Sequence, residues 1–513
     1  VNQSVPEAFR AFVDLSADSL GTFVVYATDD YFAPKENLVR PDAPEWKEGL
    51  YTDRGKWMDG WESQRKRSEG HDFAILRLGV PGSISGLLCD TTHFKGNAPE
   101  AVSLEVCEAS HLATADELLA AVWTEVLPRT PVKADFPNEL TLTVPSPRAT
   151  HVRLHIYPDG GVARLRLYGV ADPAPRVFWQ PASIDLAALE HGGGVAAVSD
   201  QFFGPPSNLL LPGRGVNMGD GWETKRRRTP GSDWCVIRLG RRGVVERIEL
   251  DTHFFKGNAP QAVRVDALDA TGMSQEELNA ALSSGAGFAP FIEKTPVVQH
   301  RRHILEPSRP LPLTHFRVHI FPHGGVNRMR FMGYAVDTAS ERERLADLNE
   351  APHAEAAEIF RSLCAAARWV DQLVDSRPFP SVREVFSRAR ASFFSLQESD
   401  YLQAFEAHPR LGATKRAAAA TERSATWSTG EQREIQASLL GVETRLAELN
   451  EAYLQKFGFI FICFASGRTA PQILELLEER IGNSRAQELE QAAREQWRIT
   501  QLRLEKWLLA GRP

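Results

Sequence analysis

The feature that most constrains this chain is an internal duplication. Asp59-Gly60-Trp61-Glu62 returns 161 residues later as Asp220-Gly221-Trp222-Glu223. At the same spacing Ile75-Leu76-Arg77-Leu78-Gly79 becomes Val236-Ile237-Arg238-Leu239-Gly240, and Asp90 to Pro99 becomes Asp251 to Pro260 with eight of ten residues kept. Further on, Arg153-Leu154-His155-Ile156-Tyr157-Pro158-Asp159-Gly160-Gly161 recurs as Arg317-Val318-His319-Ile320-Phe321-Pro322-His323-Gly324-Gly325. Upstream, Asp29-Asp30-Tyr31-Phe32 pairs with Asp200-Gln201-Phe202-Phe203, the longer spacing reflecting an insertion around Asp42 to Tyr51. A period this long marks a duplicated domain, not a solenoid.

Within each copy the pattern is that of strands. Val102, Leu104 and Val106 alternate with polar neighbours, as do Val152, Leu154 and Ile156. Short runs bounded by Gly, Pro, Asn and Asp predict an all-β sandwich or jelly roll. After about Asp337 the composition shifts to Ala, Glu, Gln, Leu and Arg. Ile435, Leu439, Val442, Leu446, Leu449 and Tyr453 step by four and three, one apolar face of a long helix. The expected organisation is jelly-roll copies over 1–175 and 176–337, then an all-α unit over 338–513, with a charged join around residue 342.

The 513 residues carry a net charge of −7, so no basic excess points to nucleic acid or a membrane surface. Val1-Asn2-Gln3-Ser4 has neither the basic start nor the apolar block of a signal peptide, and five scattered cysteines fit a reducing compartment. The expected location is cytoplasmic.

In the repeats, Arg153 and His155 share a strand face by period-two geometry, as do Arg317 and His319. Arg164 and Arg166 follow after a short turn, and adjacent strands there would gather guanidinium groups suited to carboxylates or urea-like groups. An ordinary solvated sheet face is the alternative. Trp61 and Trp222 either plug the sandwich or line a site in which Glu62 and Glu223 stay ionised beside the following basic triplets. Lys95-Gly96-Asn97 and Lys256-Gly257-Asn258 read as tight turns with glycine at positive φ. Lone histidines such as His71 are read as surface or core residues. No spacing demands a metal.

These residues resemble allantoicase across residues 10 to 337, through Asp14-Leu15, Leu20-Gly21, Asp29-Asp30-Tyr31-Phe32, Asn37-Leu38, Asp59-Gly60-Trp61-Glu62 and Asp90-Thr91 running into His93-Phe94-Lys95-Gly96-Asn97. The resemblance implies paired jelly rolls that hydrolyse allantoate to ureidoglycolate and urea. Breaking that C–N bond needs an activated water and a protonated leaving nitrogen. Candidate groups are Glu62, Asp90, His93, Lys95, Arg153 and His155, with Glu223, Asp251, Lys256, Arg317 and His319 in the second copy. His93 aligns with Phe254 while His253 stands one position earlier, so the copies need not hold equivalent sites. Metal dependence of this part stays open, and a non-catalytic ligand-binding pair is the rival reading.

In the helical part, His408-Pro409 falls at a helix-to-loop junction, because proline pushes the preceding residue out of α conformation. Ser428-x-x-Glu431 is a capping box in its plainest reading. Arg468 stands near a helix start, where the dipole disfavours a cation unless it faces an anion. Together with Pro378-Phe379, Leu449-Asn450 and Phe457-Gly458-Phe459, these motifs resemble 2-oxo-4-hydroxy-4-carboxy-5-ureidoimidazoline (OHCU) decarboxylase over residues 345 to 508, although its usual Pro-Trp reads Arg368-Trp369 here. By that resemblance His408 and Glu431 form the catalytic pair and Ser428, Arg468 and Pro409 line the pocket, with no cofactor required. The two resemblances together imply a bifunctional enzyme of ureide catabolism acting on small ureides, homo-oligomeric, with an allantoin-opening hydrolase as a partner.

Overall fold

The computed structural model describes residues 5–9, 12–408, 429–465 and 468–509, with backbone alone over most of 429–443. In the first copy one strand, Asp72–Asp90, decides the architecture. Its first half pairs with Phe23–Ala27 on one side and Ala149–Tyr157 on the other. Its second half pairs with Arg164–Ala171 and Pro137–Thr141. In register, Ile156 stands opposite Asp72 and Ala149 opposite Gly82, while Ala171 stands opposite Gly82 and Arg164 opposite Asp90. The strand therefore runs along one sheet, bends near Gly82 and returns along the other. Its two ends, Asp72 and Asp90, meet at one end of the sandwich.

The bend explains a repeated motif. A Cβ on Gly79 would stand 2.0 Å from the Leu20 carbonyl oxygen, and one on Gly240 1.8 Å from that of His191. Only glycine lets the backbones approach so closely. Between the sheets Leu76, Leu87, Leu104, Val152, Leu154, Ile156, Leu165 and Leu167 are wholly buried. Each such side chain stabilises the fold by roughly 1.5–3 kcal/mol relative to exposure. The second copy repeats the plan around Asp233–Asp251, which pairs with Gly194–Val198 and Pro312–Phe321, then with Arg328–Ala335 and Arg302–Leu305.

This topology corrects one expectation. The Ala149–Tyr157 and Arg164–Ala171 strands are not neighbours, because the long strand lies between them. No shared guanidinium cluster forms. Arg164 is instead fully buried, donating to Asp59 Oδ2 at 2.8 Å and to the backbone oxygens of Asp42, Asp59 and Ala163. Arg153 turns to Glu105 on the outer sheet face.

The remaining unit comprises Trp179–Pro181 and residues from Asp337 onward. Trp179 donates its indole N–H to Glu341 at 3.0 Å and stacks on Phe386. The charged segment around residue 342 is not a join but the helix Ala339–Glu350, started by a capping box between Thr338 and Glu341. The helix Thr429–Phe457 bears out the apolar stepping from Val442 onward: Leu446, Leu449, Tyr453 and Phe457 share a buried cluster with Phe405, Phe459 and Leu477, with Val442 packed against it, while the side chains of Ile435 and Leu439 lie outside the described residues. Tyr453 and Arg480 both donate to Glu488, a carboxylate with no exposure. Among the described residues no helix is long and apolar enough to cross a membrane.

Candidate active sites

At the end of the first sandwich three repeated motifs interlock. Cβ atoms on Gly60 or Gly161 would fall 2.8 and 2.0 Å from the Phe94 ring, so Phe94 is clamped between the two backbones. Trp61 has no exposure and donates its indole N–H to the Asp29 carbonyl at 2.8 Å, and Trp222 repeats this with Asp200 at 2.9 Å. The tryptophans are plugs. They fix Glu62, which pairs in register with Gly161.

Glu62 is not held by the basic triplet as the sequence suggested. Asn97 donates to its Oε1 at 2.7 Å, while Lys66 turns to Asp72 at 2.5 Å. Burial pushes the Glu62 carboxyl above its ordinary range, and the Asn97 bond only partly offsets this. Asn258 and Glu223 repeat the contact at 2.6 Å.

Beside Asn97 opens a cavity of about 720 Å³ whose walls include Trp46, Lys56, Arg65, His93 and Lys95. Lys56 Nζ lies 4.2 Å over the Trp46 ring. Trp46 lies within, and Lys56 just after, the insertion that distinguishes the first copy. Three cations around one cavity suit a carboxylate ligand.

The turn carrying His93 differs from expectation. Positive φ falls on His93 (74°) and Phe254 (70°), not on Gly96 or Gly257. The His93 N–H donates to Asp135 at 2.8 Å, which ties down the strained turn, and Lys95 reaches the same carboxylate at 3.8 Å. Asp90 accepts the Thr92 N–H at 2.9 Å. Asp251 accepts both the His253 N–H and, at 2.5 Å, its Nδ1. Lys256 is exposed.

Arg153 and His155 do share a face, in a second cluster at the same end. His155 Nε2 lies 2.7 Å from Glu105 Oε2, and Arg153 Nε donates to that oxygen at 2.6 Å. His71, set aside as a lone histidine, has its Nε2 2.8 Å from His155 Nδ1. Only the register, which brings the start of the long strand beside Ile156, reveals this pairing. In the second copy His319 Nε2 lies 3.2 Å from Asp266, and Arg317 stacks over Trp234 at 3.6 Å.

In the helical unit, the helix Glu398–Glu406 ends at Ala407, and the His408 N–H donates to the Phe405 carbonyl. The half-buried imidazole is depressed by burial and by Arg503, with Gln496 acting in the opposite sense. Gln496 is fully buried and donates to Thr500 at 3.3 Å. Arg503 and Gln496 were missed by the sequence reading, since a helix of this composition offers many equivalent polar residues. Arg468 precedes the helix Ala470–Arg480 and reaches Cys463 Sγ at 3.6 Å. Pro409, Ser428 and the side chain of Glu431 lie outside the described residues. Among the described residues no three His, Cys, Asp or Glu are grouped to hold a metal ion.

Comparisons with known proteins agree with this geometry. The model for the allantoicase repeat matches residues 13–172 and 184–336, and that for OHCU decarboxylase matches 338–505. A probable allantoicase from Photobacterium profundum is 43% identical over 330 residues, 64% of this chain and 97% of the relative. One from Pseudomonas fluorescens is 44% identical over 328 residues, again 97% of its length. The crystal structure of allantoicase from Saccharomyces cerevisiae is 35% identical, with a TM-score of 0.52, covering 63% of this chain and 93% of that one.

Proposed function

The chain belongs to the allantoicase family through its duplicated sandwiches and carries an OHCU decarboxylase domain in its helical unit, and on that premise we propose where each of its two ureide reactions takes place. Membership over nearly the whole length of the relatives sets aside the reading of the sandwiches as a binding module. The reactions are hydrolysis of allantoate to ureidoglycolate and urea, and decarboxylation of OHCU to (S)-allantoin.

Allantoate hydrolysis takes place at the interlocked end of the first copy. The observation that carries this is a buried carboxyl, Glu62, beside a cavity ringed by Lys56, Arg65 and Lys95. The cations receive the substrate carboxylate. Glu62, whose carboxyl burial raises above its ordinary range, delivers a proton to the leaving ureido nitrogen. Decarboxylation centres on His408: loss of CO₂ pushes an electron pair into the adjacent C=N group, and the imidazole hands a proton to the resulting carbon. Glu431 is its partner by family resemblance. Arg503 offers a fixed cation for the ureido or ring oxygen as charge develops.

Allantoin, the product of the second reaction, becomes allantoate only after ring hydrolysis, so a separate allantoin-opening hydrolase links the two. A cytoplasmic homo-oligomer is the setting proposed. The test is urea release from allantoate and stereospecific allantoin formation by the full chain. Glu62→Gln abolishes the first alone and His408→Gln the second alone. Loss of both together in a folded variant overturns the two-site reading.

A further inference from the structure

Hydrolysis also needs a group that takes a proton from water, and the duplication supplies an internal control for finding it. In the first copy the donors and acceptors of the outer-face cluster can be assigned. Glu105, paired to Arg153, only accepts, so His155 Nε2 carries a hydrogen and its Nδ1 is an acceptor. His71 Nε2–H must then donate to it, which leaves His71 Nδ1 with a bare lone pair. The His71 ring packs 4.4 Å from Tyr157, whose hydroxyl meets Ser103 and whose ring carries the exposed Arg129 guanidinium at 4.5 Å. Facing His71 are His155, Lys66, Asp72 and Arg129. Burial, then His155 and the two cations, outweigh Asp72 and hold the imidazole below its ordinary range.

In the second copy the cationic frame persists: Arg227 pairs with Asp233 as Lys66 does with Asp72, and Lys294 lies over Phe321 as Arg129 lies over Tyr157. Of the proton-handling groups, His319 and Asp266 stand where His155 and Glu105 do, but the other two change. Ser232 replaces His71 and Phe321 replaces Tyr157. Arg264, in the place of Ser103, puts a cation 3.3 Å from His319 Nε2.

One turn ties the first-copy cluster to the strand that carries Glu62. Within the Pro158–Gly161 turn, Pro158 O accepts from Asp72 N–H, Gly160 O from Ser63 N–H, and Gly161 N–H donates to Asn97 O. One turn thus joins the residue after His71 to the residue after Glu62.

We propose that His71 is the catalytic base of allantoate hydrolysis, oriented by His155 and Glu105, and that only the first copy turns over. The proposal rests on the allantoicase reading given above. His71 Nδ1 takes a proton from water as its oxygen bonds the central carbon. The C–N bond breaks with its electron pair going to the ureido nitrogen, which is protonated by Glu62 and leaves as urea. The imidazolium then returns its proton to Glu62 through solvent.

The test is steady-state urea release by the full chain across pH. His71→Gln is expected to lower kcat by about a hundredfold or more with KM little changed, and to abolish the acid limb of kcat/KM. Glu105→Gln, which leaves the base in place but removes the carboxylate supporting His155, shifts that limb to lower pH. Ser232→Ala leaves the rate unchanged, and imidazole restores activity to His71→Gly. A His71→Gln enzyme within about threefold of wild type, with its acid limb intact, overturns the assignment while leaving the allantoicase reading standing. A Ser232→Ala enzyme as impaired as His71→Gln overturns the restriction to the first copy. Failure of the wild-type chain to release urea overturns the reading itself.

Discussion

Replacing Arg164 by Met tests how the first sandwich holds its open end. The guanidinium has no exposure and donates to Asp59 Oδ2 and to the carbonyls of Asp42, Asp59 and Ala163. Asp59 is itself 3% exposed on its side chain. Burial alone would raise its carboxyl. Hydrogen bonds from Arg164 and the Glu45 N–H, with the charges of Arg164 and Arg40, outweigh burial and hold it below its ordinary range. Methionine fills most of the volume but leaves a buried carboxylate half-compensated and three carbonyls without a donor. Breaking one side of a buried pair costs about 3–5 kcal/mol, and the surviving Arg40 and Glu45 contacts favour the lower end. That predicts a sandwich melting transition lower by roughly 10 °C, followed by circular dichroism in the β region. Because Asp42 begins the segment that supplies Trp46 and Lys56 to the cavity, KM for allantoate should rise as well. Asp59→Asn in the Arg164→Met background should recover part of the loss. The depressed carboxyl also sets the pH window: the pair's contribution is fully present above the unfolded value near 4 and is lost as pH falls through the lower folded value. A change under about 1 kcal/mol in Arg164→Met would refute the reasoning, since it would mean the pair contributes no more than an exposed one.

Other perturbations follow from the same structure. Gly79→Ala forces a methyl onto the Leu20 carbonyl and should cost about 1–3 kcal/mol, read as a lower denaturant midpoint; Gly240→Ala should match it in the second copy. His151 and His315, buried at equivalent positions, are pushed down to about 4 by burial. With folded values below the unfolded value of about 6.5, they should erode stability as pH falls from about 6.5 towards 4. The double change to Gln should flatten that limb in pH-dependent melts. Asn97→Leu removes the bond that partly offsets burial at Glu62, so the alkaline limb of urea release should move to higher pH; an unmoved limb would exclude Glu62 as the proton donor. His408→Gln should end stereospecific allantoin formation, checked by circular dichroism of the product, while urea release continues.

Much of the fold was legible because duplication writes each structural requirement twice. Gly79 with Gly240, and Gly161 with Gly325, recur because backbone or ring atoms leave no room for a side chain. Trp61 and Trp222 recur as plugs with the same indole bond. The long helix announced itself through Leu446, Leu449 and Tyr453 on one face. The candidate sites were legible only in part. Glu62, His93 and Lys95 come together around Asn97, but Arg153 and Arg164 part company because a long strand runs between theirs.

By itself the sequence determined what local geometry requires: two copies of one sandwich, a helical unit, and the motifs that mark their ends. Tertiary structure alone decided which charges meet. A strand that bends back on itself brings residues dozens of positions apart to one edge, and no periodicity encodes that. His71 beside His155, and Arg503 beside His408, are consequences of that folding and not of any motif.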